Sequence, residues 1–246
     1  MLSVCLCIIV SVLAENFPGL SLLIPMRNEA GNVAPLLDEI SQALPGMFDL
    51  EVLVVNDAST DATGAELAAC AIQYPWLRVL EHSYSRGQSR ALFTALWQAT
   101  KDTIAVIDGD GQNDPREFVA AWPVYQALPA PAMLIGQRQR RQDSGWRHVA
   151  SRVAAACRRR VLGDSIRDSG CGFKLLPRVF FQQLPYFDHM HRFMPTLVRR
   201  AGGQVLGFPI SHRPRTRGTS NYSNWERFLV GISDIAGVWW LTRRSR

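Results

Sequence analysis

No run of about 18 uncharged apolar residues occurs in this chain of 246 residues, which excludes a polytopic membrane protein. Cysteine is sparse. The five, at positions 5, 7, 70, 157 and 171, form no C-x-x-C pair, so neither a zinc site nor a disulfide framework is signalled. A reducing compartment is the plain inference from such cysteines. The apolar start, residues 1–14, lacks the basic stretch that opens a secretory signal, and it reads as a poorly packed extension rather than a signal or short anchor. No internal repeat is present, no G-x-G-x-x-G follows the first strand-like run, and no Ser–His or Cys–His pair stands poised for nucleophilic catalysis. Lysine is nearly missing too: Lys101 and Lys174 stand against 25 arginines.

What is present begins with 47% hydrophobic residues, enough apolar surface for a core and too much for a disordered chain. The net charge of +6 hides a division. Residues 1–137 carry 6 basic and 15 acidic side chains, net −9, whereas residues 138–246 carry 21 and 6, net +15. That asymmetry points to a partner with negative charge. Arginine forks match phosphate geometry better than lysine, although many of these arginines, including Arg158–Arg160, suit a solvated face equally well.

Apolar, β-rich runs at 20–24, 51–56, 77–81, 103–107 and 132–135 alternate with helical patterns at 33–44, 63–72, 88–100 and 115–128. Strands separated by helices of this length make βαβ units, hence an α/β domain with a mostly parallel twisted sheet flanked by helices. Ligands of such sheets bind at the carboxyl ends of the strands, so the polar residues at 25–29, 57–61, 85–89 and 108–114 are the ones to question. The second half has an arginine-rich break at 137–145, a basic amphipathic helix at 146–162, a glycine-rich turn at 168–173, a helix at 190–200 and a basic loop at 209–223. An apolar run at 228–241 carries Arg227 before it and Arg243, Arg244 and Arg246 after it. That pattern fits an interfacial helix on a membrane surface and, equally, a helix packed on its own domain. The expected organisation is an N-terminal extension over 1–19, one domain over 20–223, and an amphipathic C-terminal helix over 224–246.

The strongest chemical signal is Asp108-Gly-Asp110-Gly-Gln112-Asn-Asp-Pro115, which follows the apolar strand Ile104–Ile107. Two carboxylates at i and i+2 share one face roughly 6.6 Å apart, and glycines between them let the chain curl both around one cation. Mg²⁺ is typically held by one or two carboxylates plus substrate phosphates, and Gln112 is placed to add a neutral oxygen. A turn capping the helix that starts at Pro115 explains Asp114 but gives Asp108 and Asp110 no reason.

Together the motifs become specific. P-x-x-N-E (Pro25 to Glu29), V-N-D-x-S-x-D (Val55 to Asp61), R-G-Q-S-x-A-L (Arg86 to Leu92) and D-G-D-G-Q-N-D-P resemble the family-two glycosyltransferases of the GT-A, nucleotide-diphospho-sugar transferase fold. The closer resemblance is to polyprenyl-phosphate glycosyltransferases, typified by dolichol-phosphate mannose synthase. It continues through I-G-Q-R ending at Arg138, Ser151-Arg152, D-S-G-C-G-F from Asp168 to Phe173, H-R-F from His191, and H-R-P-R-x-x-G-x-S ending at Ser220. The resemblance implies that Pro25, Arg27, Glu29 and Asp57 hold the nucleoside, with Gly87 and Gln88 beginning the helix beside it. It implies Mg²⁺ or Mn²⁺ at Asp108, Asp110 and Gln112, the acceptor's phosphate at Arg138 and Arg152, and the donor's diphosphate at Arg215. One departure stands out: the family commonly reads R-x-x-G-x-S-K, and here the last position is Asn221, with Arg213 or Arg217 as the candidate replacement. Asp168 is a candidate for sugar hydroxyls or for a capping role, and His191 more for a structural role than for a sugar contact.

The implied reaction is inverting transfer of a sugar from GDP-mannose or a UDP-sugar to a polyprenyl phosphate, at the cytoplasmic face of the inner membrane, with self-association left open. A polysaccharide or other envelope glycan is the alternative acceptor. A phosphatase of the haloacid-dehalogenase type also places D-x-D after a strand, but after its first, whereas here the pair follows the fourth. Nucleic acid is not an expected partner, because the basic helix at 146–162 has no aromatic platform beyond Trp146.

Overall fold

A computed structural model describes residues 17–138, 160–163, 166–214 and 224–244. Seven strands form one sheet: β1 (Gly19–Met26), β2 (Asp49–Asn56), β3 (Leu77–Glu81), β4 (Thr103–Val106), β5 (Ala132–Arg138), β6 (Lys174–Pro177) and β7 (Gln204–Ile210). Their order is β3-β2-β1-β4-β6-β5-β7. Every pairing is parallel except those of β6, which runs antiparallel to both β4 and β5.

Helices α1 (Val33–Ala43), α2 (Thr63–Gln73), α3 (Gly87–Gln98) and α4 (Glu117–Gln126) alternate with the first five strands. α1 turns Val33, Leu36, Leu37 and Ile40 inward, the i, i+3, i+4, i+7 spacing of one apolar face. β1 and β2 are buried on both faces, which is why they read as continuous apolar runs rather than alternating ones. Glu51 is the exception inside β2. Its Oε1 accepts hydrogen bonds from Ser21 Oγ and from the Thr100 and Lys101 amides, so the buried carboxylate is paired rather than stranded.

The later elements are α5 (Arg178–Gln182), a 3₁₀ turn (Met190–Arg192), α6 (Met194–Arg200) and α7 (Asn224–Arg244). The helix expected over 190–200 is therefore split. The helix expected from Pro115 begins instead at Glu117, and the Asp114 carboxylate accepts from the Arg116 amide in the turn before it, at 3.0 Å. β6 and β7 have no counterpart in the sequence reading: Lys174 breaks the apolar run of one, and Gly207 and Pro209 break the other. β7 is an edge strand, where proline is tolerated because one side needs no ladder donor.

α7 packs on the domain along one side. Val238 is buried, and Ile235 and Leu241 pack beside it against the domain core. His189 Nδ1 and Asp234 Oδ2 meet at 3.2 Å. The same helix leaves Trp239 and Trp240 38% and 54% exposed, with the Arg243 and Arg244 guanidinium groups over their rings at 4.2 and 5.3 Å. Among the described residues no helix is long and apolar enough to cross a membrane.

Candidate active site

The chain leaves β1 in one direction toward β2 and β3, and continues from β4 in the other. Their carboxyl ends therefore frame the crevice of a topological switch point. The two ends touch: a Cβ on Gly109 would lie 2.6 Å from Met26 Cγ and 3.2 Å from the Pro25 carbonyl oxygen.

One wall is made by the first two motifs locking together. Backbone amides of residues 28–31 donate in turn to Ser59 Oγ, Thr63 Oγ1, the Asp61 carboxylate and the Glu66 carboxylate. Asn28 adopts φ 54°, a left-handed turn that asparagine tolerates, and its Oδ1 accepts from the Thr60 amide. Arg27 projects into solvent, Pro25 is half-buried, and Glu29 accepts from Asn32 Nδ2.

Asp57 is buried, and its carboxylate is fully committed to the chain itself. One oxygen meets His82 Nδ1 at 2.7 Å and the Arg86 amide at 2.8 Å, and the other meets Ser85 Oγ at 2.8 Å and the Gly87 amide at 2.9 Å. Four partners saturate a carboxylate. Burial opposes ionisation here, but the hydrogen bonds from His82, Arg86, Ser85 and Gly87 outweigh it and hold the carboxyl below its usual range. Asp57 thus sets the entry of α3, where Gly87 takes φ +80°, rather than offering a vacant oxygen to a nucleoside. The stability it lends is fully present above the ordinary carboxyl range, about pH 4, and is lost as pH falls through its lower folded value. Asp57→Asn is expected to cost about 1–3 kcal/mol at pH 7. Melting curves followed by circular dichroism at pH 7 and pH 3 should show the gap from the unaltered protein closing in acid.

α3 carries Gln88 to the carboxylate pair: its Nε2 donates to Asp108 Oδ1 at 2.9 Å. Gln88 therefore sits on the D-x-D motif itself. Burial and the neighbouring Asp110 push the Asp108 carboxyl up to about 6, against smaller opposing effects of Lys174, Arg138 and Gln88. Asp110 Oδ1 accepts from the Gln112 amide at 3.1 Å. Gln112 uses its side-chain nitrogen on the Arg213 carbonyl, so its amide oxygen is the end that would face a cation.

These residues fit a hard divalent cation: two crowded carboxylates with excess negative charge, an amide oxygen beside them, and no soft donor in the set. Among the described residues no three His, Cys, Asp or Glu side chains converge, so the remaining ligands would have to come from a substrate or from water.

One residue of the 168–173 turn proves closer to this pair than the sequence suggested. A Cβ on Gly172 would fall 2.2 Å from Asp108 Oδ2, so only glycine lets the backbone pass over that carboxylate. Phe173 stacks on Phe118 with ring centroids 4.1 Å apart and fixes the turn against α4. The Gly-rich spacing was the available signal for Gly172, and it reads equally as an ordinary turn.

Arg138, at the end of β5, forms a two-pronged ion pair with Asp168: Nε meets Oδ2, and Nη2 meets Oδ1 at 2.8 Å. Asp168 therefore faces an arginine. Arg213, a candidate replacement for the missing lysine, is engaged with two carboxylates. Its guanidinium bridges Glu39 at 2.8 Å and Asp114 at 2.6 Å, and its amide donates to the Gln112 carbonyl. Arg152, Arg215, Arg217 and Asn221 lie outside the described residues.

A Ser–His contact that the sequence did not reveal is present: Ser89 Oγ and His191 Nδ1 are 2.8 Å apart across 102 residues of chain. It is not a nucleophile with its base. Leu92, Phe93, Phe181, Met190 and Met194 enclose it, and burial holds the imidazole's pKa well below its usual value, so the ring is neutral. The pair ties α3, one residue past Gln88, to the 3₁₀ turn.

A seven-stranded, mostly parallel sheet with a D-x-D pair at its switch point defines a GT-A glycosyltransferase. Residues 21–194 match the glycosyl transferase family 2, and the chain belongs to that family. It is 29% identical over 236 residues to dodecaprenyl-phosphate galacturonate synthase of Rhizobium johnstonii, covering 91% of this chain and 67% of that protein. It is likewise 29% identical over 206 residues to undecaprenyl-phosphate 4-deoxy-4-formamido-L-arabinose transferase of Edwardsiella ictaluri, covering 82% and 62%. The chain thus spans about two thirds of these relatives. In fold it is similar to a mannosyltransferase from Pyrobaculum calidifontis in complex with GDP-mannose and Mn²⁺ (TM-score 0.66, 18% identity, 94% of this chain and 66% of the other). It is also similar to glucosyl-3-phosphoglycerate synthase from Mycobacterium tuberculosis in complex with UDP (TM-score 0.64, 19% identity, 93% and 82%).

Proposed function

We propose that this glycosyltransferase moves a sugar from a nucleoside-diphosphate sugar to a polyprenyl phosphate, with inversion and with Mg²⁺ or Mn²⁺ at Asp108, Asp110 and Gln112. The observation that carries the reading is the crowded Asp108–Asp110 pair at the switch point, followed across the sheet by a half-buried arginine, Arg138. The names of the two bacterial relatives, both transferases to a prenyl phosphate, support the acceptor class.

In this reading the loop from Pro25 through Arg27 to Glu29 receives the nucleoside, and Asp57 shapes the pocket by fixing Gly87 and Gln88. Gln88 orients Asp108. A bound divalent cation would offset the charge that develops on the departing diphosphate. Arg138 spends two of its donors on Asp168, which aims the guanidinium and leaves its other donors for the acceptor's phosphate. Arg152 completes that contact, and Arg215 meets the donor's diphosphate. A phosphate monoester with a second pKa of about 6 is largely ionised at neutral pH, so the nucleophile needs no strong base. The neutral, enclosed His191 is consistent with that.

A thermal-shift panel of UDP- and GDP-sugars with Mn²⁺, followed by transfer assays on short prenyl phosphates, tests the assignment. Labelled sugar should appear on the prenyl phosphate. Transfer to a glycan acceptor with none to any prenyl phosphate would overturn it.

Peripheral attachment to the cytoplasmic face of the membrane through α7 belongs to the same proposal. It is supported by the exposed Trp239 and Trp240 and the arginines stacked on them. The Trp239→Ala/Trp240→Ala double variant is expected to reduce co-sedimentation with anionic vesicles roughly tenfold, while transfer to a water-soluble short-chain acceptor is retained. Unaltered sedimentation would remove α7 from the membrane contact.

A further inference from the structure

Lys174, one of two lysines in the chain, is 2% exposed in β6 between β4 and β5. Its partner across the antiparallel ladder is Val106, and Asp108 lies two residues beyond Val106. Lys174 Nζ donates to the Cys171 carbonyl, and the adjacent residue is Gly172, where an added Cβ would lie 2.2 Å from Asp108 Oδ2. The ammonium and the carboxylate therefore flank the same stretch of backbone. No carboxylate forms a direct ion pair with Lys174 among the described residues, so its charge acts on Asp108 across that stretch. Burying an ammonium is costly, and a methionine or leucine would fill this core position without the cost.

We propose that Lys174 is a resident countercharge that keeps the carboxylate pair's affinity for a bare divalent cation low. The cation is then retained once a nucleoside diphosphate contributes its own oxygens and negative charge. Like charges repel strongly in a poorly solvated site, so one buried ammonium beside two carboxylates weighs against a second, divalent charge. A diphosphate reverses that balance, making cation and donor arrive as a pair. The inference rests on the reading that Asp108 and Asp110 hold the cation, and it adds an order of binding to that reading.

The experiment is a Mn²⁺ titration of the full chain at pH 8, read by electron paramagnetic resonance, without and with UDP or GDP and corrected for Mn²⁺ held by the nucleotide itself. The unaltered protein should bind Mn²⁺ at least about tenfold more tightly with nucleotide, and Lys174→Met should bind bare Mn²⁺ roughly tenfold more tightly than the unaltered protein does. Lys174→Arg, which keeps the charge, should retain the nucleotide dependence. A folded Lys174→Met protein with unaltered affinity for bare Mn²⁺ overturns the proposal. If that variant does not fold, the unaltered protein decides: equal Mn²⁺ affinity with and without nucleotide overturns the proposal. Asp110→Asn separates the two readings, because Mn²⁺ binding that survives this change removes the cation site itself rather than the role of Lys174.

Discussion

Asp110→Ala is expected to lower sugar transfer by roughly 1000-fold while leaving the melting temperature nearly unchanged. Among the described residues, the carboxylate accepts one hydrogen bond, from the Gln112 amide, in a half-buried turn. Its loss also relieves Asp108, whose carboxyl is pushed up to about 6 by burial first and by Asp110 second. The unliganded variant should therefore be no less stable at neutral pH than the parent. Steady-state transfer at saturating Mn²⁺, with a calorimetric melt beside it, checks both halves. Transfer at the unaltered rate would sink the assignment of the D-x-D motif.

Gly172→Ala should be nearly as damaging, with no charge touched. The added methyl would stand 2.2 Å from Asp108 Oδ2 and 2.3 Å from its Cγ, distances no packed structure sustains. Either the carboxylate turns away or the backbone lifts. A displacement of about 1 Å at a reacting centre can reduce turnover roughly 100-fold. The loss should fall on kcat and on Mn²⁺ affinity together. A Gly172→Ala enzyme with parental kcat would show that the Asp108 carboxylate need not sit where it does.

The first half of the fold was legible because strands buried on both faces read as apolar runs, and β1, the core of β2 and β4 do so. The same rule drew attention to the site: polar residues at the ends of such strands need a reason, and Asp108, Asp110 and Gln88 come together there. The partners of Asp57 and Arg213 were hidden because sequence gives residue types but not partners. Asp57's four donors come from residues 82–87, and Arg213's carboxylates come from α1 and the D-x-D turn. β6 was hidden by its own lysine, since a buried charge breaks the pattern from which a strand is read. The Ser89–His191 pair was hidden by 102 residues of intervening chain.

The reversed direction of β6 makes the site sensitive to register. The strand enters the sheet at the crevice, so its first residue, not its last, stands beneath the carboxylates. Side chains alternate along a strand, and a slip of one residue exchanges the two faces. Such a slip would put the Phe173 ring where the ammonium lies and carry the ammonium to the Leu175 position, on the opposite face of the sheet. Changes of length in the segment between β5 and β6 therefore bear on the reacting centre, although they leave the strands β1 to β4 untouched.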